Sequence, residues 1–182
     1  MDRRTFIASL AAATLLPAGQ AMAEPGIPAS PDLIDAFMAV PGITEGRGGT
    51  LHVLFAPWCH ISPRIYRDSR GLLDRMSIRW IPFSGGQPEG SEAVERLLRS
   101  PRASSLSSVF TNLQPLAVKP STPLSDAQDM AVFSRIEPKV IRDGGAGIVT
   151  PTLAYKFGSD RARLVLGGVG VSGLEEIARI VG

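Results

Sequence analysis

Cys59 is the only cysteine of the chain, and it stands in Ala56-Pro57-Trp58-Cys59-His60-Ile61-Ser62, directly after the apolar run Leu51-His52-Val53-Leu54-Phe55. A thiolate attacks disulfides, and its reactivity is set by how readily the thiol ionises. A cysteine at the start of a helix meets N–H groups that lack intrahelical partners and the positive end of the macrodipole, and both favour the anion. His60, when protonated, adds to that stabilisation. Ser62, one helical turn on, offers a hydroxyl donor. Serine cannot attack a disulfide, so a mixed disulfide on Cys59 has no internal thiol to resolve it. The competing reading is a cysteine serving as a small buried hydrophobe. With one cysteine and two histidines, His52 and His60, neither a zinc site nor a resident cofactor is expected. His52, in mid-strand, reads as a packed or hydrogen-bonded histidine.

The elements that must position these groups follow from periodicity. Leu51 to Phe55 is a continuous apolar strand of the kind buried on both faces. The spacing predicts a helix from about Cys59 to Met76, with Ile61, Ile65, Leu72 and Met76 inward and Arg64, Arg67 and Arg75 toward solvent. Ile78 to Phe83 reads as the next strand, and strand–helix–strand implies parallel pairing. Upstream, Ser30 reads as an N-cap with Pro31 at the first helical position, Leu33, Ile34, Phe37 and Met38 form one face, and Pro41-Gly42 ends the helix. Residues 24–50 have room for a short helix and linker. Ser84 to Ala146 reads as a helical insert, with helices over Ser91–Arg99 and about Ser125–Ile141, the second kinked or broken at Pro138. Past Thr150-Pro151, Thr152–Phe157 and Arg161–Leu166 read as a hairpin turning at Gly158-Ser159-Asp160. Ser172-Gly173-Leu174-Glu175 reads as a capping box, and Leu174, Ile177, Ala178 and Val181 trace a terminal helix.

The N-terminus is read as an export signal over residues 1–23. Met1-Asp2-Arg3-Arg4-Thr5-Phe6-Ile7 carries paired arginines, the apolar stretch from Phe6 to Pro17 is too short for a stable span, and Ala21-Met22-Ala23 offers a cleavage site after Ala23. The pattern resembles a twin-arginine signal; an ordinary secretory signal with two arginines is the alternative. The expected location is the periplasm, with no stable membrane anchor. Cleavage would take the 19 basic and 17 acidic residues to 17 and 16 by removing Arg3, Arg4 and Asp2. The balance is then near neutral, and no Lys/Arg run points to nucleic acid. One cysteine permits no internal disulfide, so stability must come from packing.

Three segments carry a resemblance: Phe55-Ala56-Pro57-Trp58-Cys59, Ile78-Arg79-Trp80-Ile81-Pro82-Phe83 and Gly147-Ile148-Val149-Thr150-Pro151-Thr152. In this order they are similar to an α/β, thioredoxin-like fold with a helical insertion (about 84–146) between its βαβ and ββα halves. More closely, residues 51–182 resemble the catalytic domain of the periplasmic disulfide isomerases of the DsbC/DsbG type. The resemblance implies a cis Thr150-Pro151 bond, with the backbone of Val149 and Thr150 beside the cysteine and pairing with substrate, and Trp58 at the same surface. It implies partners that are exported proteins with disulfides or oxidised cysteines, and glutathione or another thioredoxin-fold protein as reductant. Two departures limit the transfer: Ser62 replaces the second active-site cysteine, and the chain is expected to lack the family's N-terminal dimerisation domain.

Two function classes stand against each other. One is an exported monothiol oxidoreductase using Cys59, with Ser62 and His60 supporting the thiolate. The other is a thioredoxin-like binding module that docks a partner at the Thr150-Pro151 edge without turnover. A one-cysteine peroxidase fits less well, because Ala56 stands where such sites place a threonine.

Overall fold

The computed structural model describes residues 24–111 and 122–182; the leader read over 1–23 lies outside them. In chain order come β1 (Ile27–Ala29), α1 (Pro31–Met38), β2 (Ile43–Glu45), β3 (Gly49–Phe55), α2 (Ser62–Asp68), β4 (Met76–Pro82), α3 (Pro88–Arg99), α4 (Ala103–Thr111), α5 (Pro123–Ala131), α6 (Glu137–Arg142), β5 (Thr152–Phe157), β6 (Arg161–Leu166) and α7 (Val171–Val181). The strands form one sheet in the order β1-β6-β5-β3-β4-β2. Among the described residues only β3 and β4 pair in parallel, with α2 as their crossover; β1, β2, β5 and β6 all pair antiparallel. A central β6-β5-β3-β4 sheet, one βαβ unit and a terminal ββα unit make an α/β, thioredoxin-like fold. Helices α3 to α6 stand between its halves.

The apolar run of β3 explains its central place. Leu51, Val53 and Phe55 enter the core on one side of the sheet with residues of α2, α4 and α7. Leu54 enters the other with α1, α6 and the turn between α5 and α6. A strand covered on both faces has no reason to alternate polar and apolar residues. Beneath the β3–α2 junction, Phe55, Tyr66, Trp80 and Phe110 pack together, with Tyr66 stacked on Phe110 at 4.6 Å and Trp80 5.1 Å from the same ring.

Several expected boundaries are corrected. The helix read over Cys59–Met76 is α2 alone, followed by a tight turn at Arg70–Leu72, and Met76 already belongs to β4. Ile65, Leu72 and Met76 are nonetheless buried, because helix, turn and strand all face the same core. The segment read as helix and linker also contributes both sheet edges, β1 and β2, each three residues long. Elements that short carry no readable alternation, and Pro28 is tolerated on an edge strand. Ser30 holds the N-cap position of α1 with Pro31 after it, as read, but its side chain caps no helical N–H; its N–H and hydroxyl both donate to Asp143, at 3.0 and 3.1 Å. The helix read over 125–141 is divided near Pro138, as expected, into α5 and α6. Pro138 sits in the first turn of α6, where no N–H is needed, after a five-residue π turn, Val132–Ile136. The expected capping box at Ser172 is absent: α7 starts two residues earlier than that box would set it, with Gly170 at the N-cap. A capping box does form at Thr122 and Ser125, at the start of α5.

Candidate active site

Cys59 lies in the turn joining β3 to α2, with its own N–H on the Ala56 carbonyl at 3.0 Å. The helix starts at Ser62 rather than at the cysteine. Pro63 occupies the first turn, so it contributes no donor, and the free N–H groups nearest the sulfur are those of Ile61 and Ser62. Cys59 is buried, with 6% of the residue exposed.

The Thr150-Pro151 loop packs against the thiol. The bond between these residues is cis. The thiol donates to the Thr150 carbonyl at 3.1 Å, and Pro151 is buried beside it with its carbonyl accepting from Gly167 N–H at 2.9 Å. Gly168 must be a glycine here: its backbone is left-handed, and an added Cβ would come within 3.1 Å of Pro151 and 3.3 Å of Ile65. Val149 is exposed, and its carbonyl accepts from the Thr152 hydroxyl at 2.5 Å.

The electrostatics of the sulfur are a contest. Burial pushes the Cys59 thiol up, while the Ser62 hydroxyl, the Ile61 and Ser62 backbone donors and the Thr150 side chain pull it down, and the balance falls below the ordinary thiol value. Ser62 Oγ is fully buried and has no hydrogen-bond partner among the described residues. An ionised sulfur gives that orphan donor an acceptor. His60 is exposed.

The structure brings Trp58, Cys59, Ser62, Thr150 and Pro151 together, with Val149 at the rim. Trp58 is 43% exposed, yet its indole N–H donates to the Ser84 carbonyl at 2.7 Å. Trp58, Phe83, Phe133, Ile148, Val149 and Thr150 line an open groove of about 420 Å³; two of them, Trp58 and Thr150, flank Cys59.

No family model matches the chain, and no curated protein does. Two solved structures are similar to it. One is a disulfide interchange protein from Neisseria gonorrhoeae, at 19% identity and a TM-score of 0.49, covering 77% of this chain and 94% of that one. The other is a periplasmic thioredoxin-like protein from Salmonella enterica serovar Typhimurium, at 12% identity and a TM-score of 0.45, covering 81% and 94%.

Sequence reasoning missed the residues that brace this surface from a distance. Asp129 accepts from Ser84 N–H at 2.9 Å, from the Ser84 hydroxyl and from Gly86 N–H at 2.8 Å. Gln128 donates to the Pro41 and Pro82 carbonyls at 3.0 and 2.9 Å. The one sequence signal was Gly85-Gly86, both left-handed in the fold, which marks a turn without naming what holds it. His52 is packed edge-on against Phe37 at 5.9 Å, and its Nδ1 has no partner among the described residues.

Proposed function

We propose that this protein is an exported monothiol thiol–disulfide oxidoreductase of the isomerase or reductase type. The observation that carries the reading is the Cys59 sulfur lying 3.1 Å from the carbonyl that precedes Pro151, with a buried, unpartnered Ser62 hydroxyl in the place of a second thiol. The depressed thiol supports it, since packing cysteines gain nothing from ionising.

In the reaction, the Cys59 thiolate attacks one sulfur of a substrate disulfide. A Cys59–substrate bond forms, the substrate S–S bond breaks, and the departing thiolate takes a proton from water. Ser62 holds the starting anion but cannot resolve the product. Resolution comes either from another thiol of the same substrate, which rearranges its disulfides and returns Cys59 as thiolate, or from an external thiol of the glutathione class. In the second case the substrate leaves reduced and two external thiols end as one disulfide. Exported proteins with disulfides are the substrate class, and the periplasm is the compartment that the arginine-paired leader fits.

The test is covalent trapping. Wild-type protein incubated with a disulfide-bonded peptide at neutral pH is expected to accumulate a Cys59 mixed disulfide, seen by mass spectrometry and released by glutathione. No adduct would defeat the reading. The low exposure of the sulfur favours one second reading, a binding module. It predicts that Cys59 resists alkylation until the chain unfolds.

A further inference from the structure

Trp58 is an exposed aromatic residue with an unusually fixed seat. An added Cβ on Gly90 would stand 3.0 Å from its Cδ1, and one on Gly85 would stand 3.6 Å from its Cζ2. The ring therefore lies close against two residues that lack side chains. Its N–H is bound to Ser84. Ser84, Gly85 and Gly86 form a turn that only glycine enters without strain at its last two positions, at φ of +65° and +73°. Locally the turn is closed by a single backbone bond, Gln87 N–H to the Ser84 carbonyl at 3.1 Å. Asp129, 7% exposed and 45 positions away on α5, gathers three donors from it on one carboxylate.

We propose that Asp129 is a positioning residue for the thiol site: through Ser84 it sets the Trp58 indole as the wall of the groove beside Cys59, so the helical insertion shapes how a substrate meets the sulfur. The catalytic meaning rests on the thiol–disulfide reading, whereas the positioning itself does not. Asp129→Asn is the informative change. An amide offers one acceptor oxygen and turns two donors of its own toward a site that already supplies three, so at least one contact becomes donor against donor. Ser84→Ala removes one of the three bonds and is expected to act in the same direction more weakly.

Two measurements on the full chain decide it. Trp80 is fully buried, so iodide quenching of tryptophan fluorescence reads Trp58; Asp129→Asn is expected to raise the quenching constant about twofold by freeing the ring. Attack of Cys59 on a disulfide-bonded peptide is expected to slow roughly tenfold, the scale of a lost hydrogen bond to a buried charge. Alkylation by iodoacetamide, which has no need of the wall, should change less than about twofold, and in a Trp58→Ala background Asp129→Asn should add nothing. Unchanged quenching overturns the proposal, as does an equal slowing in the Trp58→Ala background, which is what general damage to the fold would give. If Asp129→Asn fails to fold by circular dichroism, the same measurements on Ser84→Ala decide. If the wild-type protein forms no peptide adduct, the thiol–disulfide reading fails while the quenching result still decides the positioning.

Discussion

The Cys59 sulfur and the Thr150 carbonyl oxygen are 91 residues apart in sequence and 3.1 Å apart in the fold. The contact gives the thiol two hydrogen-bonding states. Protonated, it donates to Thr150. Ionised, it loses that acceptor and gains the donors of Ile61 and Ser62. The anion is the better served of the two, which is the physical basis of the reactivity proposed for it.

Cys59 is therefore expected to titrate below an ordinary thiol when ultraviolet thiolate absorbance is followed against pH. Ser62→Ala should raise the midpoint by removing the foremost donor to the anion, and His60→Ala should move it less, because that side chain is exposed to solvent. The linkage has a defined sign. A depressed folded-state pKa stabilises the fold above the unfolded thiol's pKa, and that contribution is lost as pH falls through the folded value.

Turnover should require an added thiol. Without glutathione, the wild-type protein is expected to stop at one equivalent of mixed disulfide in an insulin-reduction or peptide-oxidation assay. Ser62→Cys should restore repeated cycling by supplying the resolving sulfur one helical turn from Cys59. Sustained dithiol oxidation by the unmodified protein without thiol would count against the monothiol mechanism.

His52 should govern part of the acid sensitivity. Burial first, and the nearby Arg79 guanidinium second, push its imidazole down to about 4. The folded state holds it neutral while the unfolded chain protonates it below about 6.5, so stability falls between those values as pH drops. The loss reaches roughly 3 kcal/mol by the time both states are protonated. His52→Leu keeps the packing against Phe37 and is expected to flatten the urea-midpoint profile between about pH 6.5 and 4 relative to wild type.

Glu45 should be a stability hot spot remote from the sulfur. Its carboxylate accepts from Trp80 Nε1 at 2.7 Å and holds the Arg70 guanidinium through both oxygens, while Arg70 lies 3.8 Å above the Tyr66 ring. Glu45→Ala strands a buried indole N–H and a half-buried cation. The expected cost is about 3 kcal/mol, or a fall in Tm of roughly 10 °C for a chain of this size.

The parts legible in the sequence were those written in local patterns. The apolar run 51–55, the parallel partner at 78–83 and the hairpin 152–166 sit where periodicity placed them, because strand burial is repeated over five or more residues. The N-terminal edges were not legible: Ile27–Ala29 and Ile43–Glu45 become strands only because β6 and β4 offer unpaired edges. The start of α2 was misplaced by three residues, since Pro63 fits the first turn from Ser62 as readily as it fits a longer helix. Val132–Ile136 was equally hidden, because a π turn has no composition of its own.

The sequence by itself determined the chemistry available: one thiol, no second one, and Ser62 fixed three residues away by covalent spacing. It also determined that a strand must deliver the sulfur to a helix start. Which carbonyl meets the sulfur, and which carboxylate braces the tryptophan beside it, were decided only by the tertiary structure. Thr150 and Asp129 reach the site from distant segments, and nothing in the local pattern of either encodes its partner. Sheet register brings β5 beside β3, packing brings α5 against the end of β4, and the long-range hydrogen bonds follow from that placement.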